Sequence, residues 1–272
     1  MSKGMKLKAA LTAAVIAVVV AACATSPTGR RQLQLFAADD MAQMGDAAYQ
    51  EIKKETPTTA SAAQTGYVDC VVRHLTEVVP KPIDGGEWRV TVFDEPDNIN
   101  AFALPGGNVG VYTGLLKVTK NQSQLAAVIG HELAHVQANH GNARLSTQYA
   151  TQAGVALLGV LAGASTNGDK QQIMSLLGVG ATVGVILPFS RSQESEADII
   201  GLRYMAEAGF DPRESVGLWR NMMAASGGSG GPQFLSTHPA GETRIETLEK
   251  HMSEAMGLYE RAQAQGRRPN CR

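Results

Sequence analysis

Residues His131-Glu132-Leu133-Ala134-His135 restrict what this chain can fold into more than any other feature. They fall within a helical repeat of apolar Leu125, Val128, Ile129, Leu133 and Val136, so the stretch has to bury one face of a helix in a core. Side chains four apart stand about 40° from one another around a helix and one turn along it. Both imidazoles therefore look the same way, at the spacing two ligands need to share one tetrahedral zinc. Glu132 projects beside them, where it can take a proton from the attacking water.

A catalytic zinc takes three protein ligands and keeps a fourth position open. Ser190-Arg191-Ser192-Gln193-Glu194-Ser195-Glu196-Ala197-Asp198 offers two glutamates in a second helical pattern, and helix geometry separates them. Glu194, Ala197, Asp198 and Gly201 share one face, whereas Glu196 lies about 200° around from Glu194. Glu194 is therefore assigned to the metal with His131 and His135, one zinc per chain. Asp198, one turn further, is placed to accept a hydrogen bond from a ligand histidine and fix its orientation. Glu196 is left to solvent or to a neighbouring salt bridge. Small Ala197 and Gly201 would let this face come close to the first helix.

Ahead of these helices the patterns are shorter. Helical periodicity covers about 37–55 and 66–79, with the breaker Thr56-Pro57 between them. Trp88 to Phe93 alternates as a half-buried strand does, and the runs 99–103 and 108–112 flank Leu104-Pro105-Gly106-Gly107 as a hairpin. From Asn121, a helix cap with Gln124 three residues on, the chain reads almost wholly as helices. A small sheet followed by helices means α+β. The apolar, glycine-rich stretches 153–164 and 173–187 are too short to span a bilayer and read as buried helices, and Ser226 to Gly231 reads as a flexible loop.

Two further segments complete a recognisable set: Asn100-Ala101-Phe102-Ala103-Leu104-Pro105-Gly106-Gly107 followed by Gly114-Leu115-Leu116, and Ser236-Thr237-His238-Pro239 with Arg244 six residues after the histidine. With these motifs in this order the chain resembles the zinc metallopeptidases of peptidase family M forty-eight, which include HtpX and the CAAX prenyl proteases. Within it the chain is similar to the soluble periplasmic lipoprotein branch, the group of LoiP and BepA. The resemblance covers most of the mature sequence and departs at Ala240, where the family often repeats Pro. It implies a zincin-like (gluzincin) domain, mostly helical with a small antiparallel sheet. It also implies an endopeptidase that hydrolyses peptide bonds in unfolded or damaged envelope proteins. By the same resemblance the strand Asn100, Ala101, Phe102 and Ala103 is the sheet edge on which an extended substrate pairs. His238, and next Arg244, are the candidates to stabilise the oxyanion; His238 could instead occupy the zinc in the resting enzyme. His74, His140 and His251 are expected to be exposed or locally hydrogen bonded.

The N-terminus bears on location. Lys3, Lys6 and Lys8 precede an apolar run from Ala9 to Ala22, a signal-peptide pattern, and Val20-Ala21-Ala22-Cys23 resembles a bacterial lipobox. The expected division is a signal peptide over 1–22, a tether lipidated at Cys23 over 23–36, and a metallopeptidase domain over 37–272. Ala24, with no Asp at that position, resembles the pattern sorted to the periplasmic face of the outer membrane. Cys70 and Cys271 then remain, and an even count in an exported protein favours a disulfide. With 24 basic against 25 acidic side chains the chain has no positive field for nucleic acid. The competing class is a metal-binding, chaperone-like lipoprotein without turnover, against which the intact Glu132 speaks: a purely structural site needs a closed fourth ligand and no base.

Overall fold

The computed structural model describes residues 23–82, 85–161, 189–225, 233–238 and 242–272. The signal sequence 1–22, the stretch 173–187, the last residues of the stretch 153–164 and the loop 226–231 lie outside the described residues. Residues 23–33, expected to belong to a tether, fold instead into a hairpin of β1 (Cys23–Thr25) and β2 (Arg31–Leu33), with Gly29 in the turn at φ +90°. Hydrophobic periodicity could not announce it, because polar contacts hold it down. Buried Gln32 donates to the Ala138 carbonyl at 2.7 Å, and the Leu35 N–H donates to Ser146 Oγ at 2.8 Å.

Helices α1 (Ala38–Glu55) and α2 (Ala62–Thr76) follow, the second capped by Ser61, which accepts from the Gln64 N–H. Then come β3 (Arg89–Phe93), β4 (Ala101–Leu104) and β5 (Asn108–Tyr112) in the spatial order β3-β5-β4. β4 and β5 form the antiparallel hairpin, Ala101 opposite Val111 and Leu104 opposite Asn108, turned by Gly106 and Gly107 at φ +91° and +87°. β3 joins β5 in parallel, so the sheet is mixed where an antiparallel one was expected. β5 is the central strand, and every residue of it is buried. Gly110 on it has the Phe102 ring where a Cβ would be, 2.2 Å away.

Phe93, Phe102, Leu104 and Tyr112 face α1, meeting Ala48, Tyr49 and Ile52. Val109 and Val111 belong to the main core with Val68, Val71, Val72 and Leu75 of α2. After the short α3 (Leu115–Val118), α4 (Gln122–Gln137) runs through that core with Leu125, Val128, Ile129 and Leu133 buried. Asn121 caps it by accepting the Gln124 N–H at 3.0 Å. One residue separates the end cap of α4, Ala138, from α5 (His140–Leu161): Asn139, at φ +56°, makes the elbow.

The remaining helices are α6 (Arg191–Glu207), α7 (Glu214–Ala225), α8 (Gln233–Thr237) and α9 (Glu242–Ala264). α6 starts in a reciprocal capping box between Ser190 and Gln193, and crosses α4 where two glycines meet. A Cβ on Gly201 would stand 2.8 Å from the His131 nitrogen and 2.9 Å from the Gly130 carbonyl carbon, so backbone touches backbone there. The C-terminal tail returns to the core, where Cys271 is joined to Cys70 of α2 by a disulfide with Cα atoms 5.6 Å apart. Cys23 is free and exposed, and among the described residues no helix is long and apolar enough to cross a membrane.

Candidate active site

Close approach of α6 to α4 brings the two sequence motifs together. His131 and His135 point their Nε2 atoms at one another across 3.0 Å, and Glu194 Oε1 and Oε2 lie 3.5 Å from the His135 and His131 nitrogens respectively. His238, just after α8, reaches the same point: its Nδ1 is 3.0 Å from Glu194 Oε1 and 3.2 Å from His131 Nε2. One ligand atom from each of His131, His135, Glu194 and His238 falls within a 4.8 Å cluster, all four residues buried. Three imidazole nitrogens and one carboxylate oxygen converging at this range are the donor set a tetrahedral zinc takes.

Charge supports the same fit. Burial and Arg244 both push His131 down, yet hydrogen bonds to Asp198 and Glu194 together with the Glu194 charge win and raise it to about 9. His135, by contrast, is held well below its ordinary value by burial and by the surrounding cations. Burial also raises Glu194, but His131, His238 and Arg244 overcome it and keep this carboxyl ionised. Arg244 Nη1 lies 2.6 Å from Glu194 Oε2 off the hydrogen-bonding direction, so both atoms lack a hydrogen-bond partner among the described residues.

Glu132 is buried, its carboxyl pushed up mainly by desolvation, and its Oε1 has no hydrogen-bond partner among the described residues. His238 Nε2 lies 3.4 Å from that oxygen. His238 is itself stacked on Phe234 and Phe189, with ring centroids 4.5 and 5.3 Å away. Phe189 also lies against His135 at 3.9 Å. Sequence reading missed Phe189, which sits before the second motif in a stretch without periodicity.

Asp198 stands where helix phase put it, its Oδ1 3.1 Å from His131 Nδ1. Arg244 reaches the same cluster. It turns its edge to Asp198, donating from Nε at 2.7 Å, and its face to the Trp219 ring at 3.7 Å. A guanidinium so engaged holds carboxylates in place, and its Nη2 also lies 3.1 Å from His131 Nδ1 and 3.3 Å from His131 Nε2. His140 takes the hydrogen-bonded alternative rather than the exposed one: it is wholly buried, between His135 and Glu196. Glu196 takes the salt-bridge alternative, paired with Arg30 at 2.9 Å. His74 and His251 are half-buried near Glu77 and Glu254, at 3.9 and 3.7 Å.

β4 borders the site. Thr59 donates its N–H to the Val92 carbonyl at 2.9 Å and Thr58 bridges Phe93, covering the β3 edge, which leaves β4 as the other edge. The Phe102 ring lies on the α1 side, so only its backbone belongs to that edge. Asn100, buried, accepts the Tyr112 N–H at 3.1 Å. Beside the β4 end runs a cleft of about 100 Å³ whose walls include Met41, Ala103, Leu104, His135, Leu145 and Phe189.

The family model described as Peptidase family M48 matches residues 62–252. Mitochondrial metalloendopeptidase OMA1 of Schizosaccharomyces pombe is 35% identical over 238 residues, which cover 84% of this chain and 66% of that protein. The OMA1 of Saccharomyces cerevisiae is 35% identical over 186 residues, 66% of this chain and 51% of that protein. The beta-barrel assembly-enhancing protease of Escherichia coli K12 is 31% identical over 208 residues, 75% of this chain and 42% of that protein. The chain thus spans from 42% to 66% of the length of these three relatives. A match that runs from α2 into α9, and so encloses all four converging residues, means that the chain belongs to Peptidase family M48.

Proposed function

We propose that this protein is a zinc-dependent endopeptidase that cuts unfolded or damaged proteins of the cell envelope, held by lipid at Cys23 to the periplasmic face of the outer membrane. The observation that carries the reading is the buried Glu132, unpartnered at Oε1, beside a converging set of three imidazoles and one carboxylate. His131, His135 and Glu194 would hold the metal. When bound, zinc supplies Lewis acidity, polarising the scissile carbonyl and making water easier to deprotonate.

Everything else is work for the chain's own residues. Asp198 accepts from His131 Nδ1, which keeps the Nε2 side bare, and Arg244 steadies Asp198 and Glu194 together. Glu132 takes the proton of the attacking water and passes it to the leaving amine, a role suited to a desolvated carboxylate of raised basicity. An extended substrate lies along β4, whose edge position supports backbone pairing with little sequence preference. The apolar cleft next to it suits the exposed apolar side chains of an unfolded chain. His238 stands between Glu132 and His131, in the way of a substrate carbonyl, so it acts as a resting occupant that substrate displaces.

Casein digestion tests the reading. Cleavage that a chelator abolishes and added zinc restores is expected; zinc bound with no cleavage of any unfolded protein would favour the chaperone-like class instead.

A further inference from the structure

The two histidines of α4 are held by unequal means. His131 Nδ1 has a carboxylate oxygen, Asp198 Oδ1, 3.1 Å away, with Arg244 Nη2 at the same distance. His135 turns Nδ1 to another imidazole, Nδ1 of His140, at 2.9 Å, and His140 Nε2 lies 3.1 Å from Glu196 Oε2. Proton placement gives this row a direction. A carboxylate only accepts, so His140 Nε2 carries a proton, and the other nitrogen of the neutral ring is an acceptor. His135 must then donate from Nδ1, which leaves its Nε2 bare on the side of His131 and Glu194.

The far end of the row is anchored by the N-terminal hairpin. Glu196 Oε1 accepts from Thr28 Oγ1 at 2.6 Å and from the Thr28 N–H at 3.3 Å, and Oε2 accepts from Arg30 Nε at 2.9 Å. Arg30 Nη2 also donates to Gln32 Oε1 at 2.7 Å, and Gln32 reaches the Ala138 carbonyl at the end of α4. Glu196 thus has both oxygens satisfied and one orientation.

We propose that His140 is a positioning residue for the metal site and that the hairpin after Cys23 belongs to the same device. Thr28 and Arg30 set Glu196, Glu196 sets the proton on His140, and His140 sets the tautomer and angle of His135. The inference rests on the zinc reading above. Its consequence is that the segment adjoining the proposed anchor is fastened to a metal ligand, so damage to the hairpin is felt at the metal.

The test measures zinc dissociation constants of the full-length protein by competition with a chromophoric chelator. The variants are His140→Phe, His140→Gln, and Thr28→Val combined with Arg30→Met. Visible spectra of the cobalt-substituted proteins and melting of the metal-free proteins accompany it. His140→Phe keeps a ring but no acceptor and is expected to weaken zinc by roughly 10–100-fold and shift the cobalt bands. His140→Gln can both accept from His135 and donate to Glu196, so it is expected to recover most of that loss. The hairpin double variant is expected to weaken zinc by roughly tenfold. Wild-type affinity in His140→Phe and in the double variant, or a Gln variant no better than Phe, would overturn the inference. So would lower metal-free melting with zinc affinity unmoved, the sign of a merely structural cluster. If His140→Phe fails to fold, the double variant decides alone. A wild-type protein that binds no zinc would sink the metal reading itself, whereas wild-type binding in the variants sinks only this step.

Discussion

A histidine ligates metal only with the correct nitrogen bare, so each residue of this site depends on what stands behind it. Helix phase alone separates Glu194 from Glu196, and the structure keeps that separation: Glu194 faces His131 and Glu196 faces His140. The role of Glu196 was not legible, because its partners Thr28 and Arg30 are more than 160 residues away and follow no period. His140 was hidden for a related reason, lying beyond a break in the helix whose turn no residue spacing specifies. Glu194→Gln is expected to weaken zinc retention by at least roughly tenfold, because the amide loses the charge the cation needs; metal analysis after dialysis against chelator checks it. His238→Ala is expected to speed casein cleavage, since the ring stands 3.4 Å from Glu132 in the path of substrate. A fall of roughly 10²–10³ would show that His238 is instead a transition-state donor.

At the scale of elements, the helices were legible from their 3.6-residue period and β3, β4 and β5 from alternation and the Gly106-Gly107 turn. Their arrangement was not. Alternation says that a strand is half-buried but not which strand lies beside it or in which direction, so the parallel pairing of β3 with the buried β5 was not legible. Two backbone positions govern how the site's elements meet. Gly201→Ala would press a methyl group onto the His131 backbone, 2.8 Å from its nitrogen, and is expected to destabilise by about 1–3 kcal/mol and to weaken zinc as α6 backs away. Denaturant titration with and without metal reads both effects, and unchanged values would mean that α6 slides freely on α4. Asn139 at φ +56° folds α5 back so that His140 meets His135. There Asn139→Gly should be tolerated, while Asn139→Val should cost about 1–2 kcal/mol for the left-handed backbone.

At the scale of the whole molecule, one covalent link spans 201 residues, from Cys70 on α2 to Cys271 in the tail. In the chain-entropy model closing a loop of that size stabilises by roughly 5 kcal/mol. Replacing both cysteines by serine is expected to lower stability by about 2–5 kcal/mol in non-reducing denaturation, and no change would show that the tail's polar contacts suffice. The pairing was legible from the cysteine count; the hairpin over 23–33 was not, since its docking is made by polar side chains. Cys23→Ala is expected to release the protein from the outer-membrane fraction or leave it uncut, and fractionation of the envelope reports either. The central claim is that the converging donors hold zinc and that Glu132 does the proton transfer. Glu132→Gln tests it most directly when zinc content and casein cleavage are measured on the same sample. About one zinc per chain with cleavage lowered by roughly 10²–10⁴ is the expected result. Full zinc with undiminished cleavage would contradict the account.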